Sequence, residues 1–136
     1  MEFLNQPITN IMSSPLISVE PTQRLLDVKH IFEKRAFHHH IPVTENGVLK
    51  GMISLVDFLF ALKNASLDDR DTVYYSIKVA DVMRTEPVFV PANASVRQVA
   101  DILSRGEIHA VVIVDNDKAI GIVSTSDLIK QMLKVE

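Results

Sequence analysis

Two heptapeptides at an offset of 70 residues decide the fold of this chain: Gly51-Met52-Ile53-Ser54-Leu55-Val56-Asp57 and Gly121-Ile122-Val123-Ser124-Thr125-Ser126-Asp127. Each has the pattern Gly-x-x-Ser-x-x-Asp, with two apolar residues before the serine. The similarity continues outward, and the offset becomes 71 upstream because the first copy has one extra residue between Phe37 and His39. We therefore identify an internal repeat, with copies at 8–62 and 79–133 and a linker at 63–78.

The pattern of apolar and turn residues in each copy predicts the element order β-α-β-β-α. This order corresponds to a mixed α/β (α+β) fold. Apolar residues three and four apart indicate the first helix, for which Thr22 and Asn93 are the expected N-caps. Second helices are expected from about Leu55 and Thr125. The predicted strands are Leu16–Val19, Ile41–Thr44 and Val48–Ser54, then Val88–Val90, Ala110–Val114 and Ala119–Ser124.

The hairpins and the linker complete this prediction. Glu45-Asn46-Gly47 and Asp115-Asn116-Asp117 suit hairpin turns. The segment 63–76 has four consecutive charged residues and no helical stripe, so we expect a solvated linker from which Val73, Tyr74 and Tyr75 pack onto the surface. A repeat of about 55 residues is marginally stable alone, so we expect the two copies to pack with pseudo-two-fold symmetry as one domain.

The composition excludes several classes of protein. The net charge of −3 is opposite to the basic excess of a nucleic-acid binder, and the absence of cysteine excludes disulfides and thiolate metal sites. The longest uncharged apolar run of note, Ala110–Val114, is too short to span a bilayer, and Met1–Gln6 has no signal-peptide pattern. We expect a soluble cytoplasmic protein that binds neither nucleic acid nor membrane.

Enzyme activity is not expected. The four glycines, at 47, 51, 106 and 121, do not form a dinucleotide-binding fingerprint or a phosphate-binding P-loop. Neither a nucleophile elbow nor a zinc-protease helix motif is present. We therefore predict no catalytic residues, no catalytic cofactor and no metal site.

The repeated Ser-x-x-Asp motif has two interpretations. In the first it is a capping box, in which the serine oxygen accepts a helix N–H and the acid lies in the first turn. In the second, the same helix start offers free N–H donors to a phosphate, while the aspartate accepts hydrogen bonds from ribose hydroxyls. Two such junctions related by a pseudo-dyad would build two equivalent clefts between the copies. The pattern by itself leaves both interpretations open.

The two heptapeptides resemble a tandem pair of CBS domains, also called a Bateman module, together with Ile41-Pro42-Val43 and the starts Met12-Ser13-Ser14-Pro15 and, with one residue more, Met83-Arg84-Thr85-Glu86-Pro87. The resemblance covers nearly the whole chain and implies a stand-alone CBS-domain protein. It implies a regulatory module that binds adenosine-containing ligands: AMP, ADP or ATP, or else S-adenosylmethionine or NAD.

The resemblance also implies roles for individual residues. The aspartates of the motif would hold ribose, serines would lie near phosphate, strand backbone would frame adenine, and a basic residue before the strand would reach phosphate. The residues so implied are Asp127, Ser124, Ser126, Thr125, Gly121, Asp57, Ser54, His39, His40, His109, Ile17, Val19, Val88 and Val90.

Each copy departs from the family pattern. The first has Val56 where the second has Ser126, and the second has Ala110 where a basic residue is common and Val112 where proline is usual. The site at Asp127 is therefore expected to be the better one for ribose and phosphate. The site at Asp57 is expected to be empty or selective for a less charged ligand.

The alternatives concern the clefts and the histidines. The main alternative is a ligand-free interaction or dimerisation module, with side chains filling both clefts. A weaker alternative is a metal-responsive protein using His38, His39 and His40 with His109 and His30, although alternate side chains of a strand point to opposite faces. The preferred interpretation is signal transduction: the ligand biases a conformational equilibrium and an unknown effector protein responds. By resemblance we expect a homodimer.

Overall fold

The computed structural model describes residues 2–34, 39–63 and 70–135. In chain order, the helices are α1 (Glu2–Asn5), α2 (Leu25–Lys34), α3 (Leu55–Leu62), α4 (Arg70–Ser76), α5 (Val79–Val82), α6 (Val96–Ser104) and α7 (Thr125–Met132), with a 3-10 turn at Ile8–Asn10. The strands are β1 (His40–Glu45), β2 (Val48–Ser54), β3 (Arg84–Thr85), β4 (Phe89–Pro91), β5 (Ala110–Asp115) and β6 (Lys118–Ser124). The predicted mixed α/β fold is confirmed.

The chain folds into two compact units that differ from the two sequence copies. We call Ile17–Glu86 the Asp57 unit, and Met1–Leu16 together with Pro87–Glu136 the Asp127 unit. Residues 8–16, which begin the first copy, thus belong to the Asp127 unit with most of the second copy. Residues 79–86, which begin the second copy, belong to the Asp57 unit with most of the first copy. Ser13 forms an isolated antiparallel bridge with Ile122 in the Asp127 unit, and β3 pairs with β2 in the Asp57 unit.

The Asp57 unit contains the three-stranded antiparallel sheet β1-β2-β3. Val19 adds a parallel bridge to Val43, so the predicted first strand is reduced to one bridge here. Among the described residues, its core consists of the buried apolar residues Val19, Leu25, Val28, Ile41, Val43, Ile53, Phe58, Leu62 and Val79. Apolar residues on α2 and α3 therefore pack with those on the sheet, as the periodicity of the sequence predicts.

The Asp127 unit contains the sheet β4-β5-β6, in which β4 is parallel to β5 and β6 is antiparallel to it. Its core is separate from that of the other unit: Phe3, Ile8, Ile11, Val90, Ala94, Val96, Val99, Leu103, Val111, Ile113, Val123 and Leu128. Phe3 of α1 and Ile8 lie in this core, so the amino-terminal segment completes it.

The two predicted N-caps of the first helices are wrong. The N-cap of α6 is Ser95, not Asn93, because Ser95 and Gln98 form a capping box that satisfies two backbone N–H groups at once. Helix α2 begins at Leu25, and the backbone N–H of Arg24 donates to the Asp27 carboxylate at 3.2 Å. Thr22 lies ahead of this turn.

The linker is more ordered than the sequence suggests. Residues 64–69 lie outside the described part, but 70–76 form α4, where we expected no helix. Tyr74 of this helix stacks on Phe58 with ring centroids 6.1 Å apart, and the ammonium of Lys29 lies 5.5 Å from the Tyr74 ring. Val73 also packs against the core, whereas Tyr75 is exposed. This aromatic packing explains why α4 is helical although the charge pattern of the segment indicates a solvated linker.

Glycines at the start of each heptapeptide allow close backbone approach. A Cβ on Gly51 would lie 2.7 Å from the carbonyl oxygen of Arg84, and a Cβ on Gly121 would lie 3.1 Å from that of Ser13 and would clash with Met12. These glycines therefore admit the segments that cross from the other copy. Among the described helices, none is long and apolar enough to cross a membrane.

Candidate functional site

Both strand-to-helix junctions are capping boxes, as the first interpretation predicts. In the Asp57 unit, the Asp57 N–H donates to Ser54 Oγ at 3.0 Å and the Ser54 N–H donates to Asp57 Oδ2 at 3.1 Å. In the Asp127 unit, the same two bonds join Asp127 and Ser124 at 3.1 and 2.9 Å. Each aspartate uses Oδ2 for its cap, so Oδ1 is available for a second partner.

The second oxygen of Asp57 has a partner. Arg84 Nε lies 3.0 Å from Asp57 Oδ1. The carboxylate is 10% exposed and the arginine side chain 75% exposed, so the ion pair joins an almost buried acid to a cation at the surface. Sequence spacing does not predict this contact, because the two residues are 27 positions apart and belong to different copies.

In the part of the chain that the structure describes, the second oxygen of Asp127 has no such cation. Arg84 is paired with Met52 in the β2–β3 ladder, and Ser13 bridges Ile122, which is the repeat equivalent of Met52. Ser13 therefore takes the place of Arg84 in the Asp127 unit. Among residues 2–34, 39–63 and 70–135, no ion pair involves Asp127. The two junctions share one backbone arrangement but differ in charge.

The environment of Asp57 lowers its pKa. Burial alone would raise the pKa of this carboxyl by disfavouring the charged form. Hydrogen bonds from the backbone and side chain of Ser54, together with the hydrogen bond and positive charge of Arg84, outweigh that effect. The carboxylate therefore remains ionised at a pH where an ordinary aspartate would begin to protonate.

The histidines next to the junctions are held by the backbone. The carbonyl of His39 accepts from the N–H of Leu55 at 2.8 Å, and that of His109 accepts from Thr125 at 3.1 Å. Both histidines are exposed beside the first residue of α3 or α7. His40 is opposite Ser54 in the β1–β2 ladder. These positions bring the predicted phosphate-contacting residues to the helix starts.

The histidines show no metal-binding arrangement in the described part of the chain. His38 lies outside it, and within it no three or more histidine, aspartate or glutamate side chains come close enough to hold a metal ion. The metal-responsive alternative therefore has no supporting geometry there.

The strand residues expected to frame adenine differ in accessibility. The side chains of Val19 and Val90 are buried in their cores, while Ile17 and Val88 are half-buried. The Val19 N–H donates to the Pro42 carbonyl, and its own carbonyl accepts from Thr44. The Val19 N–H is thus used in the sheet, whereas its carbonyl oxygen keeps a second lone pair.

Three predicted residues of the Asp127 unit have distinct surroundings. Ser126 is exposed in the first turn of α7. The Thr125 hydroxyl is buried with no hydrogen-bond partner among the described residues, where the other copy has Leu55. Gly121 is explained by the close approach of Met12 and Ser13.

The Asp57–Arg84 pair predicts a pH effect. Because the folded pKa of Asp57 is lowered, its contribution to stability is complete above the ordinary carboxyl pKa and is lost as the pH falls through the folded value. We expect Arg84→Ser to raise the pKa of Asp57, measured by NMR titration of the carboxyl carbon. The difference in unfolding free energy between wild type and variant should narrow in acid.

Arg105→Ser is the matched control, because it removes another exposed ion pair, with Asp101, from the Asp127 unit. It should leave the Asp57 titration unchanged. An Asp57 pKa that is the same, or lower, in Arg84→Ser would contradict the assignment.

Comparison with known proteins gives one assignment for both copies. The family model described as CBS domain matches residues 8–64 and 79–134. An uncharacterized 33.4 kDa protein in the ribosomal RNA operon of Thermofilum pendens is 31% identical over 131 residues, which are 90% of this chain and 44% of that protein. The chain thus spans less than half the length of this relative.

Solved structures share the fold. CBSX2, known from Arabidopsis thaliana and solved in complex with AMP, has a TM-score of 0.77 at 23% identity, covering 94% of this chain and 96% of that one. The CBS domain pair of MJ0100, solved with 5'-methylthioadenosine and S-adenosyl-L-methionine, has a TM-score of 0.78 at 22% identity and covers 96% and 98%. The chain belongs to the CBS-domain family, of which it contains a tandem pair.

Proposed function

We propose that this chain is a regulatory module that binds an adenosine-containing ligand at the start of α7, and that Asp127 holds the ribose. One observation carries the proposal: Asp127 keeps Oδ1 free of any ion pair in the described chain while Oδ2 secures the helix start. A carboxylate fixed in this way can accept hydrogen bonds from both ribose hydroxyls without reorganising the backbone.

The phosphate end of the ligand has donors at the same junction. Ser124 Oγ accepts from the Asp127 N–H, and its own hydroxyl proton remains to be donated. Ser126 is exposed in the first turn of α7, and the helix start adds partial positive charge. His109 lies beside Thr125 and would add a cation when protonated.

Relatives of known structure support the ligand class. CBSX2 was solved with AMP, and the pair of MJ0100 was solved with two adenosyl compounds that lack phosphate. The same chemistry in this chain calls for an adenine nucleotide or another adenosyl compound as regulatory ligand. The matching family model is not that of an enzyme, and the ligand would act by shifting a conformational equilibrium that an effector protein reads.

We further propose that two copies of the chain associate through apolar residues left exposed on α3 and α7. On α3 these are Val56, Leu59 and Phe60; around the end of α7 they are Ile129, Met132 and Leu133. Each set follows the three- and four-residue spacing of one helix face. Exposed apolar groups of this kind mark interaction surfaces, and Leu59 and Ile129 of the two sets occupy the same repeat position. An isologous dimer would cover such residues.

Light scattering after size exclusion tests the dimer. The wild-type chain should have twice the mass of one chain. Phe60→Lys, which introduces the residue found at the equivalent position Lys130, should weaken the dimer. Tyr75→Lys changes an exposed aromatic of α4 that belongs to neither apolar set, and it should have no effect. A monomeric wild type would contradict the proposal.

Thermal unfolding with AMP tests the ligand. At a concentration one hundred times its dissociation constant, a ligand should stabilise the fold by about 2.7 kcal/mol. Asp127→Asn keeps an oxygen for the cap but loses the charge, so it should cost about 0.3–1 kcal/mol of stability and remove most of the AMP effect at that site.

Asp101→Asn is the matched control, because it neutralises an exposed acid elsewhere in the Asp127 unit. It should retain the full AMP response. If AMP, ADP, ATP and S-adenosylmethionine all leave the wild-type melt unchanged, the ligand-free interaction module is favoured. A response to zinc or nickel alone would favour the metal alternative.

A further inference from the structure

The two junctions differ in one side chain that lies against the candidate ribose carboxylate. In the Asp57 unit, Arg84 Nε occupies the oxygen that the cap leaves available. In the Asp127 unit, the residue at the equivalent point of the crossing segment is Ser13. This difference depends on the exchange of segments between copies, and neither heptapeptide contains it.

We propose that Arg84 makes the site at Asp57 selective for adenosyl ligands that carry a phosphate, whereas the site at Asp127, with Ser13, accepts adenosyl ligands without one. The inference rests on the proposed function and deepens it by assigning a ligand class to each site. It reverses the expectation from sequence that the Asp57 site prefers a less charged ligand.

A ligand that binds Asp57 must first displace Arg84 from the carboxylate. A ribose that binds Asp57 competes with Arg84 for Oδ1, since Oδ2 is held by the Ser54 N–H. An uncharged nucleoside would therefore replace an ion pair with hydrogen bonds from neutral hydroxyls at a carboxylate that is almost buried. Such a ligand gains little from binding there.

A phosphate changes this balance. Arg84 is 75% exposed, and only its Nε has a hydrogen-bond partner in the described part of the chain. Its terminal nitrogens are thus free to bind phosphate oxygens in the forked geometry that guanidinium groups favour. A phosphorylated ligand can move Arg84 from carboxylate to phosphate, so that the acid, the ribose and the cation all remain paired.

The Asp127 site lacks both effects. Among the described residues its carboxylate has no cation to displace, so a neutral adenosyl group meets no competitor for Oδ1 there. A phosphate at this site meets hydroxyls, the helix start and His109, whose counterpart His39 lies at the other junction, but it lacks a counterpart of Arg84. The affinity ratio of AMP to adenosine should therefore be larger at Asp57 than at Asp127.

Calorimetric titration of the full chain with AMP and with adenosine tests this. Asp127→Asn isolates the Asp57 site, and Asp57→Asn isolates the Asp127 site. In the Asp127→Asn background, Arg84→Ser should lower the AMP-to-adenosine affinity ratio about tenfold, the size expected for one charge-assisted hydrogen bond. Arg84→Lys keeps the charge and should retain most of the ratio. In the Asp57→Asn background, Ser13→Arg should raise the ratio.

The outcomes separate the two proposals. If AMP binds the Asp57 site and the ratio is the same in Arg84→Ser and Arg84→Lys, the selectivity assigned to Arg84 is wrong while the proposed function stands. If AMP, adenosine and S-adenosylmethionine all fail to bind either site of the wild-type chain, the proposed function fails and this inference fails with it. Circular dichroism of each variant confirms that the fold is retained.

Discussion

The reciprocal hydrogen bonds between serine and aspartate at the two strand-to-helix junctions are the constraint on which the site depends. They fix where β2 becomes α3 and where β6 becomes α7, and they use one carboxylate oxygen at each place. The cap does not determine which group binds the other carboxylate oxygen. Structure and proposed ligand binding are therefore carried by the same side chain without competing for the same atom.

The segments that cross from the other copy contain Ser13 and Arg84. They determine whether a cation contacts the second carboxylate oxygen of each aspartate. Gly51 and Gly121 have no side chain, so Arg84 and Ser13 can pass close to them. The exchange brings Arg84 beside Asp57 and leaves Asp127 without a cation in the described chain. Two junctions with the same capping geometry thus differ in the cation at the second aspartate oxygen, and that cation comes from the copy that does not carry the aspartate.

Local patterns predicted the repeat and its elements well. Alternation and turn residues gave β1, β2, β5 and β6 to within one residue, and Asn46 and Asn116 adopt positive φ values of 52° and 50° in the predicted hairpin turns. The capping boxes at Ser54 and Ser124 were also evident, because a three-residue spacing encodes them.

What escaped prediction depends on contacts distant in sequence or on competing local bonds. The Asp57–Arg84 pair requires knowledge that β3 joins the sheet of the other copy, which no spacing reveals. Helix α4 is stabilised by the stacking of Tyr74 on Phe58, against the charge pattern around it. The cap at Ser95 had a readable signal in Ser-x-x-Gln, which prevailed over the asparagine two residues earlier.

A crystal structure of the full chain with AMP tests the central claim most directly. If Asp127 holds the ribose, both ribose hydroxyls of AMP should lie at hydrogen-bond distance, about 2.7 Å, from its carboxylate, with the Ser124 N–H still bound to Oδ2. AMP bound with its ribose away from both Asp127 and Asp57 would contradict it and leave the aspartates as helix caps alone.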